Sequence, residues 1–173
     1  MHSSKDPASR SCTFRAMFRA FLFLALCVCI TMLLNYALIP PSSVRINLHN
    51  LRNGQQYDTI FIGTSHGQYG IDPAAVDQAT GTSSVSLCMA DAYPDDMYYL
   101  LKLACETQSP SQVVYELDPS YWMNEQRNGS TQIFFYQDFP VSKAKSSYFM
   151  DKITGLDFRS ALAPWSYYRN LYA

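Results

Sequence analysis

Residues 20–39 carry no charge, and only Thr31 and Asn35 among these twenty are clearly polar. At about 1.5 Å per residue, an apolar helix of that length reaches about 30 Å, the hydrocarbon thickness of a bilayer. A signal-peptide core is shorter, at about 7–15 residues, and a buried helix of a soluble protein seldom stays apolar on every side for so long. Pro40 and Pro41 follow the run and end the helix. The sequence therefore predicts one membrane-spanning helix.

The flanks of this run give it a direction. Lys5, Arg10, Arg15 and Arg19 precede it with only Asp6 against them, which predicts a single-pass protein of the cell membrane, its N-terminus held in the cytoplasm and the rest outside. The part after the span has 9 basic and 13 acidic residues, so it offers no polybasic patch for nucleic acid or for a membrane surface. A cleaved signal peptide is the rival reading. It is disfavoured because Ala37-Leu38-Ile39-Pro40-Pro41 holds no Ala-x-Ala-like site, and Cys27 follows Leu26 where a lipoprotein needs a small residue.

The 5 cysteines do not make a disulfide framework, because Cys12 falls in the N-terminal tail and Cys27 and Cys29 in the span. Cys88 and Cys105 lie in apolar surroundings and read as small core residues. No Cys-x-x-Cys and no pair of histidines at helical spacing occurs, so no metal site is expected. No Gly-rich loop ends in the Lys-Ser/Thr of a phosphate cradle, and no cofactor is expected either.

Residues 1–19 then form a cytoplasmic tail, 20–39 the span, 40–56 a polar stalk or short amphipathic approach, and 57–173 a folded domain. Asp58-Thr59-Ile60-Phe61-Ile62, Ser84-Val85-Ser86-Leu87-Cys88 and Gln112-Val113-Val114-Tyr115-Glu116-Leu117 read as strands. Helices are predicted over 72–80, opened by Asp72-Pro73 and closed by Gly81, and over 94–108, where Met97, Leu100, Leu101, Ala104 and Cys105 recur at helical spacing. Strand alternating with helix predicts an α/β fold with a parallel sheet. Beyond Leu117 a loop is expected at 118–122, with helices over 131–139, 144–152 and 157–172.

One stretch carries the pattern of a reactive site: Phe61-Ile62-Gly63-Thr64-Ser65-His66-Gly67-Gln68-Tyr69-Gly70. It follows the first predicted strand, and open α/β sheets bind ligands beyond the carboxyl ends of their strands. Gly63 permits a sharp turn, after which backbone N–H groups can converge on a developing oxyanion. Ser65 there reads either as a nucleophile or as a helix N-cap. His66 reads as a loop residue or as a supporting hydrogen-bond partner, because adjacent side chains diverge.

Gly63-Thr64-Ser65-His66 after an apolar strand resembles the first motif of the SGNH/GDSL hydrolases, in the membrane-anchored form that reads Gly-Ser-Ser-His. Tyr69-Gly70-Ile71-Asp72-Pro73, the Tyr-Tyr-Leu-Leu-Lys at 98–102 and Val113-Val114-Tyr115-Glu116-Leu117-Asp118 are similar to the same group, over about residues 57–122. The resemblance implies a flavodoxin-like three-layer sheet. It implies an extracytoplasmic serine esterase or O-acyltransferase acting on acyl esters of an envelope polysaccharide or similar acceptor, with a membrane-bound O-acyltransferase as partner. It makes Ser65 the nucleophile, with Gly63, Cys88 and Asp118 supporting the loop or the oxyanion and His66 beside them. The second motif's glycine has no counterpart in Leu87-Cys88-Met89-Ala90-Asp91-Ala92, and Asp118 stands where the third motif has asparagine. The family's Asp-x-x-His is missing, since the histidines are His2, His49 and His66. The domain is therefore expected to be an N-terminal portion of the whole. The alternative expectation is a non-catalytic membrane protein that uses a degenerate hydrolase fold as a binding or scaffold surface.

Overall fold

The apolar run forms the longest element of the chain. The structure is a computed structural model that describes residues 7–39, 42–123, 130–153 and 155. Helix α1 spans Pro7–Leu38, and its stretch Thr13–Leu38 is long and apolar enough to cross a membrane. Phe14, Phe21, Leu24 and Leu33 stand exposed along it. Thr31 turns its hydroxyl back onto the Cys27 carbonyl at 2.9 Å, which satisfies a polar group within an apolar helix. A signal sequence close to an N-terminus meets the same requirements of length and composition.

The segment expected as a stalk or short amphipathic approach forms an amphipathic helix built into the folded body. Helix α2 spans Ser43–Arg52 and buries Val44, Leu48 and Leu51 in the core. The Ser42 hydroxyl accepts from the Arg45 N–H at 3.0 Å and caps the helix. The same hydroxyl donates to Asp138, which also pairs with Arg45 at 2.7 Å. Asn47 donates to the Ser86 carbonyl at 2.7 Å, and buried Gln108 donates to the carbonyls of Leu51 and Gln55 at 2.9 and 2.8 Å. The polar residues that made this stretch look like a linker are brackets that hold a helix against the sheet.

Three parallel strands follow, β1 over Thr59–Ile62, β2 over Ser84–Ser86 and β3 over Gln112–Tyr115, in the spatial order β2-β1-β3. Thr59 pairs with Ser84 on one side and with Gln112 on the other. Central β1 is buried at all four positions, which explains why it reads as a continuous apolar run and not as an alternation. Helices α3 (Ser65–Gly70) and α4 (Pro73–Thr80) lead from β1 to β2, and α5 (Pro94–Ala104) leads from β2 to β3. The expected alternation of strand and helix is present as a mixed α/β fold. Helix α4 has the predicted ends: Asp72 accepts from the Ala74 N–H at 3.0 Å, Pro73 is the first helical residue, and Gly81 turns left-handed at φ 72°.

After β3 come α6 (Ser120–Met123), α7 (Ser130–Asp138) and α8 (Lys143–Tyr148), the last passing into a π-helical turn over Phe149–Ile153. The loop expected at 118–122 thus contains a helical turn, and the single helix expected over 144–152 changes geometry at Phe149. The helix expected over 157–172 lies outside the described residues. Helix α5 packs against β1 and α8, with Met97, Leu100 and Leu103 buried. Each such side chain contributes about 1.5–3 kcal/mol by leaving water. Tyr148 is fully buried, meets Tyr99 edge to face at 5.2 Å and donates its hydroxyl to Asp96 at 2.8 Å. Cys88 is a buried core residue as expected, but Cys105, at the C-terminal end of α5, is exposed.

Candidate functional site

The carboxyl end of β1 is where the chain first departs from regular pairing, and the departure is tightly packed. Gly63 lies so close to β3 that a Cβ there would come within 2.7 Å of the Glu116 Cβ and of a Glu116 carboxylate oxygen. The register requires this approach: Ile62 pairs with Tyr115, so the next residues along, Gly63 and Glu116, face one another. Thr64 then adopts extended backbone and caps α3, its hydroxyl oxygen accepting from the His66 N–H at 3.3 Å. The cap that the sequence offered as an alternative role for Ser65 is therefore filled by Thr64, and Ser65 is the first residue of the helix.

Glu116 reaches back across the strand end. One of its oxygens accepts from the Thr64 N–H at 2.8 Å and lies 2.9 Å from the Thr64 hydroxyl. Asp118 approaches the same hydroxyl at 3.0 Å, accepts from the Ser120 N–H at 2.7 Å, and lies 3.0 Å from His66 Nδ1. The Ser120 N–H and hydroxyl, helped by Thr64 and by the His66 imidazole, hold Asp118 below the usual carboxylate range. His66 is exposed over 71% of its side chain, while Glu116 and Asp118 are exposed over 21% and 11%. Its Nδ1 faces the carboxylates. The ligand atoms of His66, Glu116 and Asp118 all lie within 4.8 Å of one another, a set that can hold a metal ion.

On the opposite side, Gly67 of α3 rests on Cys88, whose Sγ would be 2.6 Å from a Cβ at that position. Cys88 is buried, and burial pushes its thiol up from the ordinary value. Its N–H points to the Ser86 hydroxyl at 3.4 Å. Met89 N–H bonds the Gly63 carbonyl at 2.9 Å, which stitches the loop after β2 to the loop after β1. In that second loop Asp91 takes the left-handed conformation at φ 58°, a geometry that aspartate tolerates better than most side chains and that glycine adopts freely. A cleft of about 480 Å³ opens between α2, α4 and β2; Gln68, Asp72, Ser86 and Cys88 are among its walls.

Of the residues singled out in the sequence, Gly63, His66 and Asp118 converge on Thr64 and Glu116, while Cys88 packs beneath α3. Ser65 opens α3 at this junction, and among the described residues no hydrogen bond joins its hydroxyl to an imidazole or a carboxylate. The sequence reading passed over Thr64 and Glu116. The signal that finds them is strand register, which sets Glu116 opposite Gly63 only once β1 and β3 are aligned. Comparison of the chain with family models, with curated proteins and with solved structures finds no match.

Proposed function

We propose that this chain is a membrane-anchored serine esterase or O-acyltransferase of SGNH type, acting outside the cytoplasm on acyl esters of an envelope polysaccharide or similar acceptor. The observation that carries this reading is the position of Ser65. It opens a helix directly after the central strand of a β2-β1-β3 sheet, the point where neighbouring strand connections diverge and open α/β folds place their ligands. In the reaction, Ser65 Oγ attacks the acyl carbonyl, the ester bond to the departing alcohol breaks, and the acyl group rests on Ser65 until a second hydroxyl or water takes it. The proton leaving Ser65 passes through a base to the departing oxygen. Supporting the membrane part of the proposal, α1 is long and apolar enough to span, and four basic residues, Lys5, Arg10, Arg15 and Arg19, precede the uncharged run 20–39 in the sequence. A membrane-bound O-acyltransferase is the proposed source of the acyl group.

One observation favours a second reading, a binding or scaffold surface without catalysis: His66 Nδ1 faces Asp118, and Ser65 has no proton acceptor hydrogen-bonded to it among the described residues. Treating the full chain with a fluorophosphonate separates the two. Labelling that maps to Ser65, with acyl transfer lost by several orders of magnitude in Ser65→Ala, is the catalytic outcome. A folded chain that stays unlabelled is the scaffold outcome.

A further inference from the structure

We infer that His66, Glu116 and Asp118 form a binding site for one divalent first-row cation, Zn²⁺ or Mn²⁺, at the carboxyl end of the sheet. The three donors come from the first turn of α3, after β1, and from the loop after β3, and His66 Nδ1 lies 3.0 Å from an Asp118 oxygen and 4.0 Å from a Glu116 oxygen. Two ligands at about 2.1 Å from one ion are separated by about 3.0–4.2 Å in tetrahedral and octahedral arrangements, a range that holds both of these separations, and the ligand atoms of all three residues lie within 4.8 Å of one another.

Charge points the same way. Glu116 and Asp118 have His66 as their one basic partner, and among the described residues no lysine or arginine pairs with either. The single proton of the Thr64 hydroxyl faces an oxygen from each carboxylate, at 2.9 and 3.0 Å. One proton cannot serve both acceptors fully, and a cation beside them neutralises both. One imidazole with two carboxylates is a mixed donor set. The imidazole favours zinc and its neighbours, the oxygens favour manganese, and a dedicated magnesium or calcium site uses oxygen alone. His66 is exposed, so an ion held there keeps an open side for water or for a ligand.

The site stands on this geometry and not on the role given to Ser65. Its test is isothermal titration of the full chain in detergent micelles with ZnCl₂ and, separately, with MnCl₂. We expect a saturable event of one ion per chain that weakens at least tenfold in His66→Ala and in Glu116→Gln. Substituting exposed His66 leaves the fold in place, and the amide oxygen of Glu116→Gln still accepts from the Thr64 N–H. Ser65→Ala should bind like the parent, so failure of the cation site and failure of the acyl-transfer reading are separate results. A full chain that binds neither ion, or binding that survives unchanged in both His66→Ala and Glu116→Gln, overturns the inference.

Discussion

The substitution Asp96→Asn should flatten the acid dependence of stability. Asp96 is only 1% exposed. Burial is the largest influence on its carboxyl and pushes it up to about 6, while the Tyr93 N–H and the Tyr148 hydroxyl pull the other way, and the Asp95 charge adds to the rise. A carboxyl with a raised native pKa is protonated more readily folded than unfolded. Its contribution is therefore fully present below the ordinary value near 3.8 and is lost as pH rises through about 6. At about 1.4 kcal/mol per pKa unit, the full contribution is about 3 kcal/mol, most of it lost between pH 4 and 7. Asparagine keeps the local bonds: its oxygen accepts from the Tyr93 N–H in place of the carboxylate oxygen now 3.0 Å away, and its NH₂ donates to the Tyr148 oxygen. Guanidinium unfolding followed by tryptophan fluorescence, at pH steps from 4 to 7, gives the difference between parent and variant. That difference should shift by about 2–3 kcal/mol against the parent as pH rises. Parallel curves across the range would refute the reasoning.

Leu48→Ala tests whether α2 belongs to the core: the side chain is fully buried, so the loss should be about 2–5 kcal/mol in the same unfolding assay, and a near-neutral result would return the segment to a stalk. Gly67→Ala should cost about 1–3 kcal/mol through its clash with the Cys88 sulfur. Adding Cys88→Ala should recover much of that loss, and equal costs in the single and double variants would refute the contact.

The parts of the fold legible in the sequence are those fixed by local chemistry. Ile60, Phe61 and Ile62 announce a buried strand because nothing polar interrupts them, and the ends of α4 are written in Asp72, Pro73 and Gly81. Helix α2 was hidden because its three buried residues, Val44, Leu48 and Leu51, are interleaved with Asn47 and Asn50, residues that also favour turns. The π-helical turn at Phe149 has no sequence signature that distinguishes it from a continuing helix. At the site, the turn into the helix that holds Ser65 and His66 is visible through Gly63 and its place after a strand. The carboxylate pair was not, because Glu116 and Asp118 lie over fifty residues away and reach Thr64 only through the parallel register. Asp118 came to notice through family resemblance alone, and Glu116 needed the sheet.

The docking of α2 also sets a leash. Between Leu38, the last residue of α1, and Ser43, the first of α2, the chain has five steps, no more than about 18 Å when fully stretched. Because α2 is bolted to the sheet through Leu48, Leu51 and Asn47, no slack remains farther along to lengthen it. With α1 seated in a bilayer, this short tether holds the start of α2, and the sheet it packs on, near the lipid headgroups.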